Sequence, residues 1–479
     1  MPRRRKTSDL IQYEIRLDGL PGRPLAGRLC VPHPSAGASS GEPLDQGAHS
    51  APASRRGRIA SPSKRTLAEL DVRSAVLNVQ NASALVINTR PYFLYDEAWL
   101  RTGFPIGDDL PFGAFGAAGR QPIPLPRGER AFAFLSERAL SPDGSAFLRE
   151  AGIAPPSGLL PMEAACIALV HEAGRPGGIE ILQNGSAAGR SGKIPSESAQ
   201  LEDLLYAFHA WERGRAKPSE LAAAADGISL PGRHTMITVL SKQSLCAATL
   251  RRFDDPIDVP LWRGILMTLA QRCGIATAPF SVRRSLSSTI LLTERIDRTP
   301  DPDTRIVKAP RLLLSAAALA KAPKRAARYP SYSSSAGASY LSIADILNRE
   351  GAKPSADLPQ AWRRMVFIAL TGGADKAQRW QFCRDPEHWR DGWRLAPAFG
   401  FTPAALPGAE RLTLDGVRPI RSPDDCIALA RYFGLSTPAA KSALFEMRRV
   451  TAGWEKAARA AGALPREIAA MAPAFEAGF

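Results

Sequence analysis

The chain has 479 residues, of which 45% are hydrophobic and 23% charged. This length corresponds to roughly two or three domains, and the composition excludes a collagen, a coiled coil and a wholly disordered chain. The formal net charge is +16, from 62 Lys and Arg against 46 Asp and Glu. Such a surplus favours acidic partners, such as nucleic acid, phosphorylated ligands or acidic protein surfaces, without choosing among them.

The N-terminal residues predict neither a secretion signal nor a membrane span. The basic start is followed by the alternating, charged segment 10–16, so no apolar signal core is present. No apolar run approaches the length that a spanning helix needs. The six cysteines are scattered without a CxxC pair, which favours reduced thiols. We therefore expect a cytoplasmic protein that contacts no membrane.

The first part of the chain is predicted to be rich in short strands. Residues 12–31 alternate around an Asp18-Gly19 turn, which indicates a β-hairpin. Residues 32–68 are rich in Pro, Ser, Gly and Ala, and we interpret them as a mobile insertion. Because no acidic residue lies between Asp45 and Glu69, a nucleic-acid-binding arm is the alternative. Residues 72–150 mix short strands and helices, and residues 184–200 form a predicted linker.

The remainder begins with strands and then becomes helical. Residues 235–240 and 245–250 predict a second hairpin. Apolar residues spaced by three and four predict a helix over 258–273, and an apolar strand follows at 288–296. Beyond residue 310, helical patterns dominate, at 311–321, 341–350, 360–371, 424–433, 438–450 and 453–461. A small β-lobe followed by a helical lobe is typical of a two-lobed kinase, although many α+β proteins share that order.

Several short segments, in order, carry a more specific likeness: Tyr95–Leu100, Ser141–Gly144, Asp254–Trp262, Leu291–Arg298, Ser339–Leu347, Trp362–Gly372 and Gly392–Gly400. Together they resemble the HipA family of bacterial toxin serine/threonine kinases. The resemblance implies an α+β, two-lobed HipA-like kinase fold. Its units would be a β-rich N-terminal subdomain (1–183), the linker (184–200), a kinase N-lobe (201–300) and a mainly helical C-lobe (301–479).

The resemblance also implies chemistry and partners. The family transfers phosphate from ATP to a protein serine, and its members pair with a small helix-turn-helix antitoxin on operator DNA. On that basis Asp375 matches the catalytic base and Ser229 the regulatory phosphorylated serine. The expected contacts with the nucleotide phosphates are in a loop that contains Gly232, Arg233 and His234. The adenine would lie against the strand that contains Glu294, Arg295 and Ile296.

Four positions depart from the family pattern. Met236 and Thr249 stand where phosphate-binding lysines are expected, and Trp380 and Gly400 stand where an Asn and an Asp would hold metal. Neither an indole nor a glycine offers a side-chain oxygen, whereas Mg²⁺ prefers oxygen ligands. We therefore predict no metal site. Losing even about 3 kcal/mol of transition-state stabilisation costs over a hundredfold in rate.

Two functions follow from this pattern. The first is a HipA-type kinase of a toxin–antitoxin pair, impaired or rescued by Lys242, Arg263 or Lys376. The second is a pseudokinase that binds an antitoxin and, through it, DNA. The second draws support from residues 304–344, which contain seven basic residues and no acid. A solvated loop is the plainer interpretation of that stretch.

Overall fold

The computed structural model describes residues 10–32, 90–112, 122–191, 194, 197–228, 236–284, 288–301, 307–320, 338–406 and 411–477. The insertion 32–68 therefore lies almost wholly outside the described residues. So do Ser229, Gly232, Arg233 and His234, and the basic residues of 321–337.

The N-terminal part forms one antiparallel sheet of six strands in the order β4-β3-β2-β1-β5-β6. The predicted hairpin is its centre, since β1 pairs with β2 from Leu10 opposite Pro32 to Arg16 opposite Leu25. The six strands are β1 (Leu10–Arg16), β2 (Leu25–Pro32), β3 (Tyr92–Tyr95), β4 (Ile123–Pro124), β5 (Glu180–Gln183) and β6 (Ser186–Ala187). The predicted linker thus begins inside this sheet.

Six helices accompany this sheet and lead to the next lobe. The apolar side chains of the helices at 97–102, 133–136 and 161–168 join the strands in a core that continues into the helical half of the chain. Those of the helices at 142–150, 197–212 and 218–225 pack instead in a second core with the strands at 236–250 and 289–294. The helices are α1 (Glu97–Thr102), α2 (Ala133–Ser136), α3 (Pro142–Glu150), α4 (Pro161–Glu163, continued by a π-turn over Ala164–Ala168), α5 (Glu197–Glu212) and α6 (Pro218–Ala225).

The hairpin turn of the first sheet meets the helical half of the chain directly. A side chain on Gly19 would place its Cβ 2.4 Å from the backbone nitrogen of Leu312. Gly19 is therefore required by this close backbone approach. The N-terminal sheet and the segment that opens the C-lobe consequently pack backbone against backbone.

The second sheet has four antiparallel strands in the order β7-β8-β10-β9. The predicted hairpin is confirmed within one residue, with Met236 opposite Thr249 and Ser241 opposite Ser244. The strands are β7 (Met236–Ser241), β8 (Ser244–Leu250), β9 (Phe280–Arg284) and β10 (Thr289–Glu294). The helix α7 (Val259–Arg272) packs on β10, and Asp258 caps it by accepting from the Leu261 N–H at 3.1 Å.

The rest of the chain is mainly helical, as predicted. A three-stranded sheet, β13-β14-β15, and a two-stranded ribbon, β11-β12, are its only strands within the described ranges. The elements are β11 (Thr299–Pro300), β12 (Val307–Lys308), β13 (Leu312–Ser315), α8 (Ala316–Leu319), α9 (Tyr340–Glu350), α10 (Pro354–Thr371), β14 (Gln381–Arg384), β15 (Arg394–Leu395), α11 (Asp425–Leu429), α12 (Thr437–Thr451), α13 (Trp454–Ala461) and α14 (Pro465–Glu476).

One predicted helix is wrong in its first half. Residues 311–321 contain the strand β13 and only a four-residue helix. Leu312–Ser315 pairs with Gln381–Arg384 across the C-lobe, and Ser315 then caps the short helix by accepting from the Ala317 N–H. An apolar run of this length fits a buried strand and a buried helix equally well, so its tertiary partner decides.

A buried charged network joins the N-lobe to the N-terminal sheet. The guanidinium of Arg295 donates to both carboxylate oxygens of Asp297, at 3.0 and 2.7 Å. Its other N–H groups donate to Thr238 and to the carbonyls of Gly174 and Arg175, at 3.2, 2.6 and 2.9 Å. All five donors of Arg295 are therefore used within the protein.

Arg298 extends this network to the first hairpin. It donates to the carbonyls of Arg175 and Gly177 and to the carboxylate of Asp18. Burial alone would raise the pKa of Asp297, but the charges of Arg295 and Arg298 outweigh it and hold that pKa below its ordinary value. The network thus ties three distant parts of the sequence into one rigid junction.

No helix of the described ranges is long and apolar enough to cross a membrane.

We predict that Asp297→Asn lowers the free energy of unfolding by about 3–5 kcal/mol at pH 7, because it leaves Arg295 charged and buried without its counter-ion. The exposed pair of Glu455 with Arg459 provides the control, since Glu455→Gln should cost less than about 1 kcal/mol. Urea denaturation measures both. Because the pKa of Asp297 is depressed, its stabilisation is present above the ordinary pKa of 3.8 and is lost as the pH falls below it. Equal costs for the two variants would contradict a stabilising junction.

Candidate functional site

The site centres on Asp375, in the loop that follows the long helix α10. The helix ends at Gly372, whose left-handed φ of 59° turns the chain out of the helix. Asp375 follows three residues later and is 3% exposed. Its carboxylate lines a small cavity of about 20 Å³ in the C-lobe, together with Arg364, Ile368, Ala374, Arg379, Trp380, Ala398, Gly400 and Phe401.

Three donors hold the carboxylate of Asp375. Its Oδ2 accepts from the Tyr340 hydroxyl at 2.9 Å and from the Trp380 indole N–H at 2.7 Å. Its Oδ1 accepts from the Lys376 backbone N–H at 2.9 Å. Tyr340 begins α9 and Trp380 follows a turn of 3₁₀-helix at Ala377–Arg379, so the carboxylate anchors the loop to two other elements.

Burial raises the pKa of Asp375 to about 6, and hydrogen bonds from Trp380 and Tyr340 counteract part of that rise. The same proximity acts on Tyr340, whose pKa is raised by burial and by the charge of Asp375. Asp375 is therefore mostly ionised at pH 7 and loses its charge in mildly acidic solution.

The residues around Asp375 do not fit a divalent metal. Trp380 is 2% exposed and presents an N–H donor, which cannot ligate a cation. Gly400 has no side chain. In the part of the chain that the structure describes, no group of three or more His, Cys, Asp or Glu is placed to hold a metal ion. The donor set opposes the oxygen-rich coordination that Mg²⁺ requires.

Arginines surround the carboxylate instead. Arg364, on α10, and Arg379, beside the loop, both line the cavity. Arg263, on α7, lies near enough to Arg379 that the second charge contributes, after burial, to lowering the pKa of Arg263 to about 9. Burial likewise lowers the pKa of Arg364 to about 10, against the charges of Asp375 and Asp357. We call Arg263, Arg364 and Arg379 the arginine cluster.

The two expected lysine positions lie next to each other in the N-lobe hairpin. Met236, half-buried, begins β7 and pairs with Thr249 of β8. Thr249 is buried, and its hydroxyl lies 3.5 Å from Nη1 of Arg263. The second expected lysine position is thus a threonine that faces Arg263.

The remaining predicted nucleotide contacts are dispersed. Glu294 accepts from the Ser244 hydroxyl at 2.9 Å, and Ile296 is half-buried after β10. The side chain of Arg295 is not available to a ligand, because all its donors are used in the junction with Asp297. We still predict that adenine contacts residues 294–296, but through their backbone and the side chains of Glu294 and Ile296 and not through the side chain of Arg295. Lys242 lies in the turn between β7 and β8 with a φ of 54°.

Sequence reasoning missed three members of this site. Tyr340 and Arg364 lie inside the segments Ser339–Leu347 and Trp362–Gly372, where the sequence pattern gives no sign of a role beside Asp375. Arg379 lies in the loop after Asp375, one residue before the unexpected Trp380. The sequence did offer one sign of a role for Arg379, because this basic residue directly precedes Trp380, which stands where a metal ligand is expected.

Comparisons with known proteins agree with this architecture. Residues 264–454 match the model of the HipA-like C-terminal domain family. That range contains Asp375, Trp380 and Gly400. No curated protein matches the sequence significantly.

Two solved structures are similar. The first is titled as the Shewanella oneidensis MR-1 toxin–antitoxin system HipA, HipB and its operator DNA complex; it covers 97% of this chain and 95% of its own, with a TM-score of 0.57 at 14% identity. The second, the Helicobacter pylori proinflammatory kinase CtkA, covers 52% of this chain and 93% of its own, with a TM-score of 0.32 at 12% identity.

The first of these likenesses extends over nearly the whole chain and shows its fold. Residues 264–454 therefore form a HipA-like C-terminal domain, and the chain as a whole has the HipA fold.

Proposed function

We propose that this chain is a HipA-fold pseudokinase, which acts by binding partner macromolecules and not by Mg²⁺-dependent phosphate transfer. One observation carries the proposal. The indole N–H of Trp380 donates a hydrogen bond to Oδ2 of Asp375 at 2.7 Å, and Trp380 stands where the family pattern expects a metal ligand.

A catalytic base must reach the proton of the attacking hydroxyl with a free oxygen lone pair. The Oδ2 atom of Asp375 already accepts two hydrogen bonds and the Oδ1 atom accepts one, so only about one of the four lone-pair sites of the carboxylate is left for a substrate proton. Without metal ligands at 380 and 400, the charge of a transferring phosphate would also lack its usual neutralisation. Both features support a structural role for Asp375.

The proposed partners follow from the fold and the charge. The Shewanella oneidensis structure contains HipB and operator DNA beside HipA. The present chain has the same fold and a net charge of +16, which favours a polyanion. We therefore propose a small helix-turn-helix antitoxin as the protein partner and DNA as the ligand of the complex. The acid-free stretch 304–344 would contribute, although most of its basic residues lie outside the described part of the chain.

An impaired HipA-type serine kinase, with ATP as donor, is the second candidate. It is favoured by the retention of Asp375 in a cavity that also holds arginines, because guanidinium groups suit phosphate oxygens. Under this candidate Ser229 would be the site of autophosphorylation, and Gly232, Arg233 and His234 would meet the phosphates.

We predict no phosphate transfer from labelled ATP to Ser229 or to any added protein, with either Mg²⁺ or Mn²⁺. The wild type and Asp375→Asn should give the same background incorporation, because the wild type lacks metal ligands. If the wild type incorporates labelled phosphate and Asp375→Asn does not, the chain is an active kinase and the pseudokinase proposal is wrong.

We predict that Asp375→Asn gains stability relative to the wild type by about 1–1.5 kcal/mol between pH 5 and pH 7.5. The buried Asp375 has a pKa raised from 3.8 to about 6, so the stability that its protonated form contributes is lost as the pH rises through that value. Asparagine does not titrate. Urea denaturation across this range measures the difference, with the exposed Asp345→Asn as the control for the chemical change. A difference that stays constant with pH would mean that Asp375 is solvated rather than buried among its donors.

We predict that the chain co-purifies with a small helix-turn-helix protein encoded beside its gene and that the complex binds operator DNA more tightly than that protein alone. Each additional phosphate contact should steepen the slope of log K against log salt concentration by about 0.9. Gel shifts over a salt series measure this slope. If the slope equals that of the helix-turn-helix protein alone, this chain makes no phosphate contacts and the proposal of DNA contacts by this chain is wrong.

A further inference from the structure

A carboxylate from the N-terminal part of the chain holds the residue that precedes α8 in the C-lobe. Glu137 directly follows α2, and its Oε1 and Oε2 atoms accept from the Ser315 backbone N–H at 2.9 and 3.1 Å. The Ser315 hydroxyl also donates to Glu137, while it accepts from the Ala317 N–H. Because Ser315 is 1% exposed, Glu137 takes the place of the water that would otherwise satisfy both donors.

Ser315 and the residue after it are joined in turn to the Asp375 loop. The Ala316 N–H donates to the carbonyl of Trp380 at 2.7 Å, and the indole N–H of that tryptophan donates to Asp375 at 2.7 Å. The strand β14 begins directly after Trp380, and its first residue pairs with Ser315. Hydrogen bonds therefore connect Glu137 to Asp375 through only two short backbone segments.

The helix α8 is also held by a second contact from the N-terminal part of the chain. The Asp108 N–H donates to the Ala318 carbonyl at 2.7 Å. The neighbouring carboxylate of Asp109 accepts from the Ala133 N–H, at the start of α2, at 2.8 Å. Since α2 and the segment 108–109 contact each other and both contact α8, a displacement of this group would move Ser315 with it.

We propose that Glu137 is a positioning residue through which the N-terminal part of the chain keeps Trp380 on Asp375. While Glu137 holds Ser315, the Ala316 N–H fixes the carbonyl of Trp380, and the indole covers the carboxylate. Displacement of α2 from Ser315 would allow Trp380 to leave Asp375. The contact is thus an autoinhibitory device, because a macromolecule that binds the N-terminal part and moves α2 would control the exposure of Asp375. Such coupling is reciprocal, so displacement of Trp380 would equally weaken the contact with α2.

This inference goes beyond the proposed function and does not depend on it. The same contact would cover Asp375 in a pseudokinase and restrain it in an impaired kinase. It is tested without any transfer assay, so the absence of transfer and the absence of coupling are separate results.

The test is the hydrogen exchange of indole protons, followed by NMR of the full-length chain with ¹⁵N-labelled tryptophan. Trp380 and Trp362 are assigned with their phenylalanine variants. Trp362 is the internal reference, because it is fully buried in the same lobe and its indole N–H donates to the Cys426 carbonyl at 2.9 Å. Burial raises the pKa values of Asp375 and Glu137 to about 6 and about 7, so both are mostly ionised at pH 8, where exchange is measured.

Glu137→Gln leaves one acceptor oxygen in place of two, and it should raise the exchange rate of the Trp380 indole relative to that of Trp362 about tenfold. A general loss of C-lobe stability would instead accelerate both indoles and leave the ratio unchanged. Ser315→Ala keeps the carboxylate but removes one of its donors, and it should raise the same ratio about threefold.

Glu163→Gln is the matched control. Glu163 is also a buried carboxylate of the N-terminal part, but it accepts from the Tyr13 hydroxyl at 2.7 Å and from the Leu160 N–H at 2.9 Å, without contacting the C-lobe through these bonds. This variant should leave the ratio of the two exchange rates as it is in the wild type.

An unchanged ratio in Glu137→Gln, or a rise of equal size in Glu163→Gln, would overturn the proposal. If Glu137→Gln does not fold, Ser315→Ala decides the matter, and an unchanged ratio in that variant would overturn the proposal in the same way.

Discussion

The saturated guanidinium of Arg295 is the constraint on which the arrangement of the lobes depends. Its five donors connect the end of β10 to β7 and to the turn that precedes β5. Arg298 then reaches the first hairpin through Asp18. Because a buried guanidinium is tolerated only when its donors are satisfied, the positions of these segments are mutually dependent. The N-lobe sheet, and with it Thr249 opposite Arg263, is held in place by this junction.

A second carboxylate, Asp375, plays a corresponding part in the C-lobe, but there the charges are arranged differently. At Asp297 two arginines are matched by acceptors, whereas at Asp375 the surrounding arginines retain unused donors. Trp380 and Gly400 remove the oxygens that would attract a metal, and Arg379 places a cation in the same region. The place that the family pattern gives to a metal ion is thus lined by two guanidinium groups, Arg364 and Arg379, which disfavour a second cation.

The sequence predicted the elements with strong periodicity and the register of the site, but not its contacts. The hairpin at 236–250, the helix at 259–272 and the helical C-lobe agree with the structure because alternation and three-to-four spacing report burial directly. The segment 311–321 was wrong because its strand partner lies about seventy residues away, and α14 was missed. The bonds from Tyr340 and Trp380 to Asp375, and the approach of Arg379 to Gly400, arise from tertiary proximity that no local pattern encodes. The domain boundaries and the phosphate-loop residues remain predictions.

Anomalous diffraction from crystals grown with Mn²⁺ and ATP tests the central claim most directly, because it locates the metal independently of activity. A HipA-fold pseudokinase without metal ligands predicts no manganese peak within about 2.5 Å of the Asp375 carboxylate. A manganese ion coordinated by Asp375 and by phosphate oxygens would contradict the account and restore a metal-dependent kinase centre.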